Sequence, residues 1–243
     1  DMWSPPQTPL ALGKVRYVGD PIAMVIAETL NEAKSSAELV EIDFETLKSV
    51  TNTADTIDPS SPSVWEQCPD NISNILETGD AKSTEDLFIN AAKVIKRRFI
   101  ITRVHAQFME PRGAIGDYNQ RNGRFTLYAD VQYPHRVRQV LAEKIFNIPE
   151  QNIRVVASDV GGGFGAKGWQ YIEHRLVLWA SKKIARPVKW TCERSESILA
   201  DEHGRDNVTE AQLALDANYK FFALHVSTLA NVGAYVSSIR NLL

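Results

Sequence analysis

A cluster of glycines at residues 161–165 constrains this chain more than any other feature. Four of the five positions are glycine, and Phe164 is the fifth. Glycine loses more conformational entropy on folding than any other residue, so such a cluster indicates positive φ angles or a close approach of bare backbone. An apolar run at residues 153–157 precedes it and a helical pattern at residues 171–183 follows it. This strand–loop–helix order predicts several free N–H donors at one point, suited to a phosphate or an oxo group.

Two other interpretations of this loop remain open from the sequence. The first is a non-catalytic domain that binds a nucleotide phosphate through the loop, although Gly168 follows Lys167 where a P-loop requires Ser or Thr. The second is a tight strand-to-helix connection in a purely structural module. Lys167 is correspondingly expected either to bind a phosphate or to lie solvated at the start of a helix.

The composition limits the class of protein. Of the 243 residues, 44% are hydrophobic and 23% are charged, which is typical of a globular chain with a sizeable core. The net charge of −3 favours neither nucleic acid nor an anionic membrane as a partner, and no apolar run is long enough to span a bilayer. Cys68 and Cys192 belong to no CxxC pattern, so we expect no zinc or iron–sulfur site and a reducing, cytoplasmic compartment.

The hydrophobic periodicity of residues 1–50 predicts a small α+β unit. Apolar or alternating runs predict three strands, and Thr29 is placed to cap one helix. The strands are expected at residues 14–18, 22–27 and 40–44, and the helix at residues 31–39.

Residues 51–92 are predicted to be a linker. Up to residue 85 they are rich in Thr, Ser, Asn, Asp and Pro and carry no sustained hydrophobic period, which is typical of a segment that crosses a surface. A helix is expected at residues 83–92, capped by Ser83 or Thr84.

Residues 93–243 are predicted to form a second α+β domain around the glycine cluster. The dipeptide Asn122-Gly123 predicts a two-residue hairpin turn. Strands are expected at residues 93–101, 115–118, 124–129, 153–157, 187–191, 208–215 and 221–230, the last continued by residues 231–235. Helices are expected at residues 134–146 and 171–183, and a short helix or turn at residues 195–197. Both ends look cut, so we expect a fragment of a longer polypeptide.

Six motifs and one residue occur in a recognisable order: residues 15–23, 109–114, 161–167, 186–190, 193–196 and 233–235, together with Gln132. This set resembles the large subunit of the molybdenum hydroxylases, the family of xanthine dehydrogenase, aldehyde oxidase and aerobic carbon monoxide dehydrogenase. The resemblance runs over nearly the whole chain in the right order, which makes it far more specific than a Gly-rich loop alone. It implies the tail of an α/β-hammerhead domain in residues 1–50 and the first part of a molybdenum-cofactor-binding domain in residues 93–243.

The resemblance also implies a cofactor, a reaction and partners. Members of the family hold a molybdenum ion on a molybdopterin, with the cytosine dinucleotide among the expected forms, and the protein positions it. They oxidise an aldehyde, an N-heteroaromatic or a CO-like small molecule with water as the oxygen source. Electrons then pass to an iron–sulfur subunit and an FAD subunit, in an assembly expected to be a dimer of heterotrimers.

By the family pattern, five residues of this chain would contact the cofactor. Gln132 would aim its side-chain amide at the oxo ligand of the metal, as a neutral donor that does not titrate. Phe164, with Gly162, Gly163 and Gly165, would bring backbone N–H groups to the oxo ligand and the pterin; core packing is the competing role for Phe164. The chain is expected to supply no metal ligand and no catalytic residue, because the active-site Glu of the family lies near the end of a much longer chain.

Gly168 departs from one branch of the family. In the purine-oxidising members an acidic residue follows the loop lysine and binds substrate, so a purine held in that way is not expected here. The remaining conspicuous residues are expected to be structural. They are His105 and Glu110 in a hydrogen-bond cluster, Cys192 as a buried hydrophobe, and Arg194, Glu196, Arg205 and Asp206 as a surface or interdomain ion-pair set.

Overall fold

The computed structural model describes residues 2–236, and whatever was predicted for residues 1 and 237–243 lies outside the described residues. Within the described range the chain forms five α-helices and seven β-strands. In chain order they are α1 (Leu30–Ala37), α2 (Ala81–Ile89), β1 (Lys93–His105), β2 (Gly113–Asn119), β3 (Arg124–Ala129), α3 (Pro134–Val140), β4 (Ile153–Val156), α4 (Ile172–Ile184), β5 (Val188–Thr191), α5 (Arg194–Ala200), β6 (His203–Leu215) and β7 (Phe221–Ala230). The α+β fold class is confirmed.

The chain divides into two compact units. The first contains residues 46–104 and 204–236 with a short N-terminal stretch, and it includes the three-stranded sheet β1-β6-β7. The second contains residues 7–45 and 105–203, and it includes the four-stranded sheet β4-β3-β2-β5. The glycine cluster lies in the second unit.

The sheet of the second unit is mixed. Strand β2 pairs antiparallel with β3 and with β5, whereas β3 pairs parallel with β4. The predicted hairpin is confirmed, but its turn is longer than two residues: Asn119 faces Arg124, and Gly123, at φ 67°, donates its N–H to the Asn119 carbonyl. The type I′ turn that Asn-Gly favours needs two consecutive positive φ angles. Only Gly123 adopts one, so the dipeptide closes a four-residue loop.

Helix α4 covers this sheet. The core beneath it consists of apolar side chains from β2 to β5, α3 and α4, namely Ala114, Phe125, Leu127, Val131, Val137, Leu141, Ala142, Ile153, Val177, Leu178, Ala180 and Val188. The helix and the sheet come very close at Gly116 on β2, where a Cβ would lie 2.5 Å from the backbone of Val177 on α4. Helix and strand can touch there only because position 116 has no side chain.

Helix α3 continues without a break into a π-helix at Leu141–Phe146, so the prediction of a helix at residues 134–146 is confirmed. It ends at Asn147, which adopts a left-handed φ of 49°. The helix predicted at residues 171–183 is confirmed as α4, and the short helix or turn predicted at residues 195–197 is a helix, α5.

The three strands predicted in residues 14–44 are wrong, although α1 is confirmed. Thr29 caps α1 in a capping box with Glu32, as expected. The stretches around the helix have no strand structure. A strand needs hydrogen bonds to a neighbouring strand, and none of these stretches is paired within the described residues. Apolar residues alternate with polar ones or follow one another in these stretches, but the stretches do not pair with another strand among the described residues.

In the first unit, the hairpin predicted for residues 208–230 is confirmed. Strands β6 and β7 pair antiparallel from Asn207↔Ala230 onwards. The prediction that residues 231–235 continue the strand is wrong. Gly233, at φ 73°, donates its N–H to the Asn231 side chain at 2.8 Å, and this turn ends the ladder.

Helix α2 begins earlier than predicted. Its cap is Asp80, whose carboxylate accepts a hydrogen bond from the Ser83 N–H at 2.9 Å, so Ser83 and Thr84 lie inside the helix. Before it, the segment from residue 51 is irregular apart from a 3-10 turn at Thr53–Asp55. Trp65 anchors this segment, because its indole N–H donates to the Ala234 carbonyl at 2.7 Å.

Substitution of Gly116 tests the contact between helix and strand. The variant Gly116→Ala places a methyl group against the backbone of Val177 on α4, which cannot move aside as a side chain could. Overpacking of this kind lowers the free energy of unfolding by about 1–3 kcal/mol or more. We expect the melting temperature to fall by about 2–12 °C. Gly113→Ala on the same strand is the control, since its Cβ would meet nothing closer than 3.8 Å. Equal melting temperatures for the two variants would contradict the packing described here.

Candidate functional site

The glycine loop connects β4 to α4 through one short turn. After the loop comes a single 3-10 turn, Ala166–Gly168, and α4 begins only at Ile172. Positive φ angles occur at Gly162 (95°), Phe164 (48°) and Gly165 (90°). The predicted strand–loop–helix order is confirmed. Residues 163–168 have the spacing GxGxxG, which marks a dinucleotide-binding turn only where the glycines lead directly into a helix. Here the loop does not run directly into the N-terminus of a long helix, so that condition is not met.

Gln132 lies against this loop. Its side-chain Oε1 accepts a hydrogen bond from the Gly165 N–H at 2.9 Å, and its own N–H donates to the Lys167 carbonyl at 2.9 Å. A Cβ on Gly163 would lie 2.6 Å from the same Oε1. Because the oxygen of the amide faces the loop, its NH₂ group is the end left to donate, and Gln132 is exposed.

Two backbone donors of the loop have no acceptor within the described part of the chain. They are the N–H groups of Gly163 and Phe164; the Gly163 carbonyl, by contrast, accepts the Ala166 N–H at 2.8 Å. Gly163 is buried, and a buried N–H without a partner costs free energy, so such groups are rare in folded proteins. Together with the Gln132 amide they form a group of donors suited to an anionic ligand.

Phe164 does not pack into the core. Its side chain is 76% exposed, and its ring lies over the loop itself, since a Cβ on Gly162 would be 3.4 Å from the ring atom Cε2. The prediction of core packing is therefore wrong. A left-handed φ at a bulky residue is strained by about 1–2 kcal/mol, and strain of this kind clusters at functional sites.

Lys167 is buried in an ion-pair network. Its side chain is 1% exposed, and its ammonium group contacts the carboxylates of Glu110, at 3.0 Å, and Asp130. It also lies 4.6 Å from the centre of the Phe108 ring. Both expectations for this residue, a phosphate ligand and a solvated side chain, are wrong, because its charge is already neutralised inside the protein. The interpretation of the loop as a nucleotide-phosphate site is weakened, because Lys167 was the basic residue expected to bind the phosphate.

Glu110 joins the network to the start of the loop. Its carboxylate accepts from the Gly161 N–H at 2.7 Å, and its own N–H donates to the Gly161 carbonyl at 3.1 Å. Burial alone would raise the pKa of Glu110, but the hydrogen bond from Gly161 and the ammonium of Lys167 outweigh it and lower this pKa below its usual value. Glu110 is therefore held as a carboxylate, which confirms its structural role.

A second buried network surrounds Arg112. The guanidinium is 2% exposed, bonds through Nε to Asp201 at 2.5 Å, and reaches both carboxylate oxygens of Glu173 at 2.8 and 3.1 Å. It stacks on the Tyr171 ring at 3.7 Å. Burial would lower the pKa of Arg112, but the carboxylates of Glu173 and Asp201 outweigh burial, and the pKa lies above its ordinary value. Sequence reasoning missed this network, and its only signal was an arginine after a proline in the motif at residues 109–114.

His105 belongs to the Arg112 network and not to that of Glu110. Its Nε2 lies 3.3 Å from the Asp201 carboxylate, which also accepts from the Ser197 hydroxyl. The expected joint cluster of His105 and Glu110 is thus two separate clusters, both structural.

The predicted ion-pair set at residues 194–206 is wrong. Arg194 donates to the Met109 carbonyl at 2.7 Å, and Glu196 accepts from the Glu193 N–H in a helix cap. In the first unit, Asp206 accepts hydrogen bonds from the side chains of Thr53 and Asn231. These polar side chains satisfy backbone and neutral partners instead of pairing their charges.

Cys192 is buried and unpaired, which confirms its expected role, and burial raises the pKa of its thiol. Among residues 2–236 there is no group of three His, Cys, Asp or Glu side chains that could hold a metal ion. Over the same residues, no helix combines the length and the apolar character that crossing a bilayer requires.

His174 is a buried titratable group beneath the loop exit. It is 2% exposed, and its Nδ1 accepts a hydrogen bond from the Tyr171 N–H at 3.2 Å, an arrangement that suits a neutral imidazole. Burial, with repulsion from Arg112, lowers the pKa of His174 to about 4.

Two family models together match most of the chain. The molybdopterin cofactor-binding domain matches residues 64–242, and the a/b hammerhead domain of aldehyde oxidase and xanthine dehydrogenase matches residues 2–48. The predicted order, a hammerhead tail followed by the start of a molybdenum-cofactor domain, is confirmed.

Curated proteins and solved structures give the same result. The chain is 32% identical over 226 residues to the nicotine 6-hydroxylase large subunit of Paenarthrobacter nicotinovorans, covering 93% of this chain and 27% of that protein. It is 31% identical over 238 residues to the carbon monoxide dehydrogenase large chain of Hydrogenophaga pseudoflava, covering 93% and 30%. The structure of a Cu,Mo-CO dehydrogenase superposes with a TM-score of 0.84 at 29% identity, over 91% of this chain and 29% of that one. Quinoline 2-oxidoreductase from Pseudomonas putida 86 gives 0.80 at 30% identity, over 94% and 29%. The chain thus spans about 30% of the length of these relatives.

The depressed pKa of His174 predicts an acid-sensitive fold. The ordinary pKa of histidine is about 6.5, so between pH 6.5 and 4 the unfolded chain binds a proton that the folded chain does not, and stability falls as the pH is lowered. This one group should remove about 3 kcal/mol across that window. Urea unfolding at a series of pH values measures the slope.

The variant His174→Asn keeps an acceptor for the Tyr171 N–H but cannot titrate, so its stability should depend less on pH over the same window. His135→Asn, at an exposed histidine on α3, is the control and should keep the full dependence. An unchanged slope in His174→Asn would contradict the assignment of the acid sensitivity to this residue.

Proposed function

The chain belongs to the molybdopterin-binding large-subunit family of the molybdenum hydroxylases, and on that premise we propose that Gln132 and the glycine loop form part of its cofactor site. One observation carries the proposal. The N–H groups of Gly163 and Phe164 lack acceptors within the described residues, and the amide of Gln132 lies on the same loop with its NH₂ end left to donate. An anionic oxo group with its pterin is the kind of acceptor that such donors suit.

The residues present fit this cofactor. Gly163 has no side chain, so nothing separates the loop from the Gln132 amide. Gly163 is also buried, and its N–H has no partner within the described residues. Gly162 and Gly165 supply the positive φ angles on either side of Phe164 that turn the backbone. Gln132 donates without carrying a charge, so its hydrogen bond does not change with pH. When bound, the molybdenum–molybdopterin would supply the redox chemistry of hydroxylation, and these residues would bind and orient it.

The activity that we propose is that of a larger assembly. The chain would be part of a large subunit that oxidises an aldehyde, an N-heteroaromatic or a CO-like substrate, with water as the oxygen source. Electrons would leave through an iron–sulfur subunit and an FAD subunit, in a dimer of heterotrimers. The support is the family and the names of the relatives, which are a large subunit and a large chain. The cytosine dinucleotide form of the cofactor and a cytoplasmic location complete the proposal, the latter supported by two free cysteines.

Alone, the 243 residues should be inactive. The two carboxylates that contact Lys167 are already committed, because Glu110 also binds the Gly161 N–H, and Asp130 also binds the Gly113 N–H. A general base needs a free carboxylate or imidazole within reach of the proton that it abstracts. We propose that this base comes from sequence outside the chain, as in the family.

Gly168 supports the exclusion of a purine held by an acidic residue at that place. A Cβ at position 168 would lie 3.2 Å from the ring of Tyr133, which directly follows Gln132. Tyr133 is itself 53% exposed. An acidic side chain at position 168 would have to displace the Tyr133 ring. We therefore propose that the substrate is bound without an acidic residue at this position.

Removal of the Gln132 amide tests the proposed function. In the full-length protein with its partner subunits, Gln132→Ala should retain the fold but lower kcat by about 100-fold, since one donor to a developing or bound oxyanion contributes about 10²–10³. Molybdenum content, measured by mass spectrometry, should show the metal in the wild type. Gln139→Ala on α3 is the matched control, because the hydrogen bonds of its side chain go to Arg136 and Glu143, away from the glycine loop. A wild-type protein without molybdenum, or unchanged turnover in Gln132→Ala, would contradict the proposal.

Gly163→Ala tests the same site without touching Gln132 itself. The new Cβ would lie 2.6 Å from Gln132 Oε1 and should push the amide away from the loop. Because a misplacement of about 1 Å can cost about 10²-fold, we expect kcat to fall nearly as far as in Gln132→Ala. The readouts are kcat and the molybdenum(V) resonance of the reduced enzyme. Wild-type values for both would show that the amide does not depend on the loop.

A further inference from the structure

We propose that Lys167 and Glu110 are positioning residues, which hold the glycine loop and Gln132 in one fixed arrangement through a buried ammonium group. This inference rests on the proposed function, because it concerns the residues assigned there to the cofactor. Neither side chain would touch the cofactor, since each is already engaged by protein partners.

Lys167 reaches Gln132 from two directions. Its backbone carbonyl accepts the Gln132 N–H at 2.9 Å. Its ammonium group contacts the carboxylate of Asp130, two residues before Gln132, and the other oxygen of Asp130 accepts the Gly113 N–H at 2.9 Å. The segment that carries Gln132 is therefore attached to the exit of the loop by a charge and by a backbone hydrogen bond.

Glu110 attaches the same ammonium group to the entry of the loop. It lies 3.0 Å from the Lys167 nitrogen and accepts the Gly161 N–H at 2.7 Å with the same carboxylate oxygen. The Gly161 carbonyl in turn accepts the Glu110 N–H. Entry, exit and the Gln132 segment thus converge on one buried nitrogen, and the donors of Gly163 and Phe164 lie between the two ends.

The charge balance makes this arrangement stiff. Lys167 is 1% exposed and Asp130 is nearly buried, so neither charge can be solvated if the pair separates. Removing one partner of a buried ion pair leaves an uncompensated charge, which is strongly destabilising. Without Lys167, Glu110 and Asp130 would face each other as like charges, and the loop and the Gln132 segment that they hold would move apart. Phe108, which is fully buried, covers the ammonium group and excludes water from it.

The test is a double-mutant cycle in the full-length holoenzyme with its partner subunits. Lys167→Met should lower kcat by about 10- to 100-fold while molybdenum content stays near the wild-type value, because the donors are displaced but still present. The molybdenum(V) resonance should shift toward that of Gln132→Ala. Lys183→Met, at an exposed lysine on α4, is the matched control and should leave both readouts unchanged.

The decisive comparison is between Gln132→Ala and the double variant with Lys167→Met. If Lys167 acts through Gln132, the double variant should be no more than about 3-fold slower than Gln132→Ala alone, since coupled residues are not additive. Multiplication of the two single effects would overturn the positioning role and leave the proposed function standing. No effect of Gln132→Ala itself on turnover or resonance would overturn the proposed function, and with it this inference.

A charge-balanced variant covers the case in which Lys167→Met does not fold. Lys167→Met combined with Asp130→Asn leaves no unpaired charge between positions 130 and 167, and the Asn side chain can still accept the Gly113 N–H. It should fold and remain slow, because the attachment of the loop is lost. Wild-type kcat and a wild-type molybdenum(V) resonance in this double variant would overturn the inference.

Discussion

The candidate site depends on the ion pairing of the buried Lys167 ammonium group with Glu110 and Asp130. A buried charge must be paired, and here two carboxylates from different regions of the chain provide the pairing. Each carboxylate in turn accepts a backbone N–H, from Gly161 and from Gly113. The shape of the glycine loop is therefore set by one charge and its hydrogen bonds. Apolar packing could not do this, because residues 161–165 offer only Phe164 as a side chain and its ring lies outside the core.

Arg112, which follows Glu110 after a single proline, has a similar role. Its guanidinium links Glu173 on α4 to Asp201, the residue after α5, and stacks on the ring of Tyr171. The short segment around Pro111 thus supplies one charged residue to each buried network. Breaking either network would leave a desolvated charge, so both sites favour a single well-defined arrangement of the loop, α4 and α5.

Hydrophobic periodicity predicted those elements that find a partner among the described residues. The β2–β3 and β6–β7 hairpins and helices α3 and α4 follow the expected patterns closely. It failed for the strands at residues 14–18, 22–27 and 40–44, because alternation records which side chains are apolar and contains no information about a neighbouring strand. The caps show the same limit at a smaller scale: Asp80 begins α2 because its carboxylate reaches the Ser83 N–H, and Ser83 was an equally good cap by type.

The sequence by itself determined the place of the loop and the family, and it proposed Gln132 as a site residue, because glycine spacing and motif order can be read along the chain without any contact between distant residues. Only the tertiary structure decided how these residues are held. It buried Lys167 between carboxylates, exposed Phe164 and turned the Gln132 oxygen toward Gly165. Glu110 lies 57 positions from Lys167, and Gln132 lies 33 positions from Gly165. A glycine indicates that something comes close to bare backbone, but contacts over such separations exist only once strands, loop and helix have packed together.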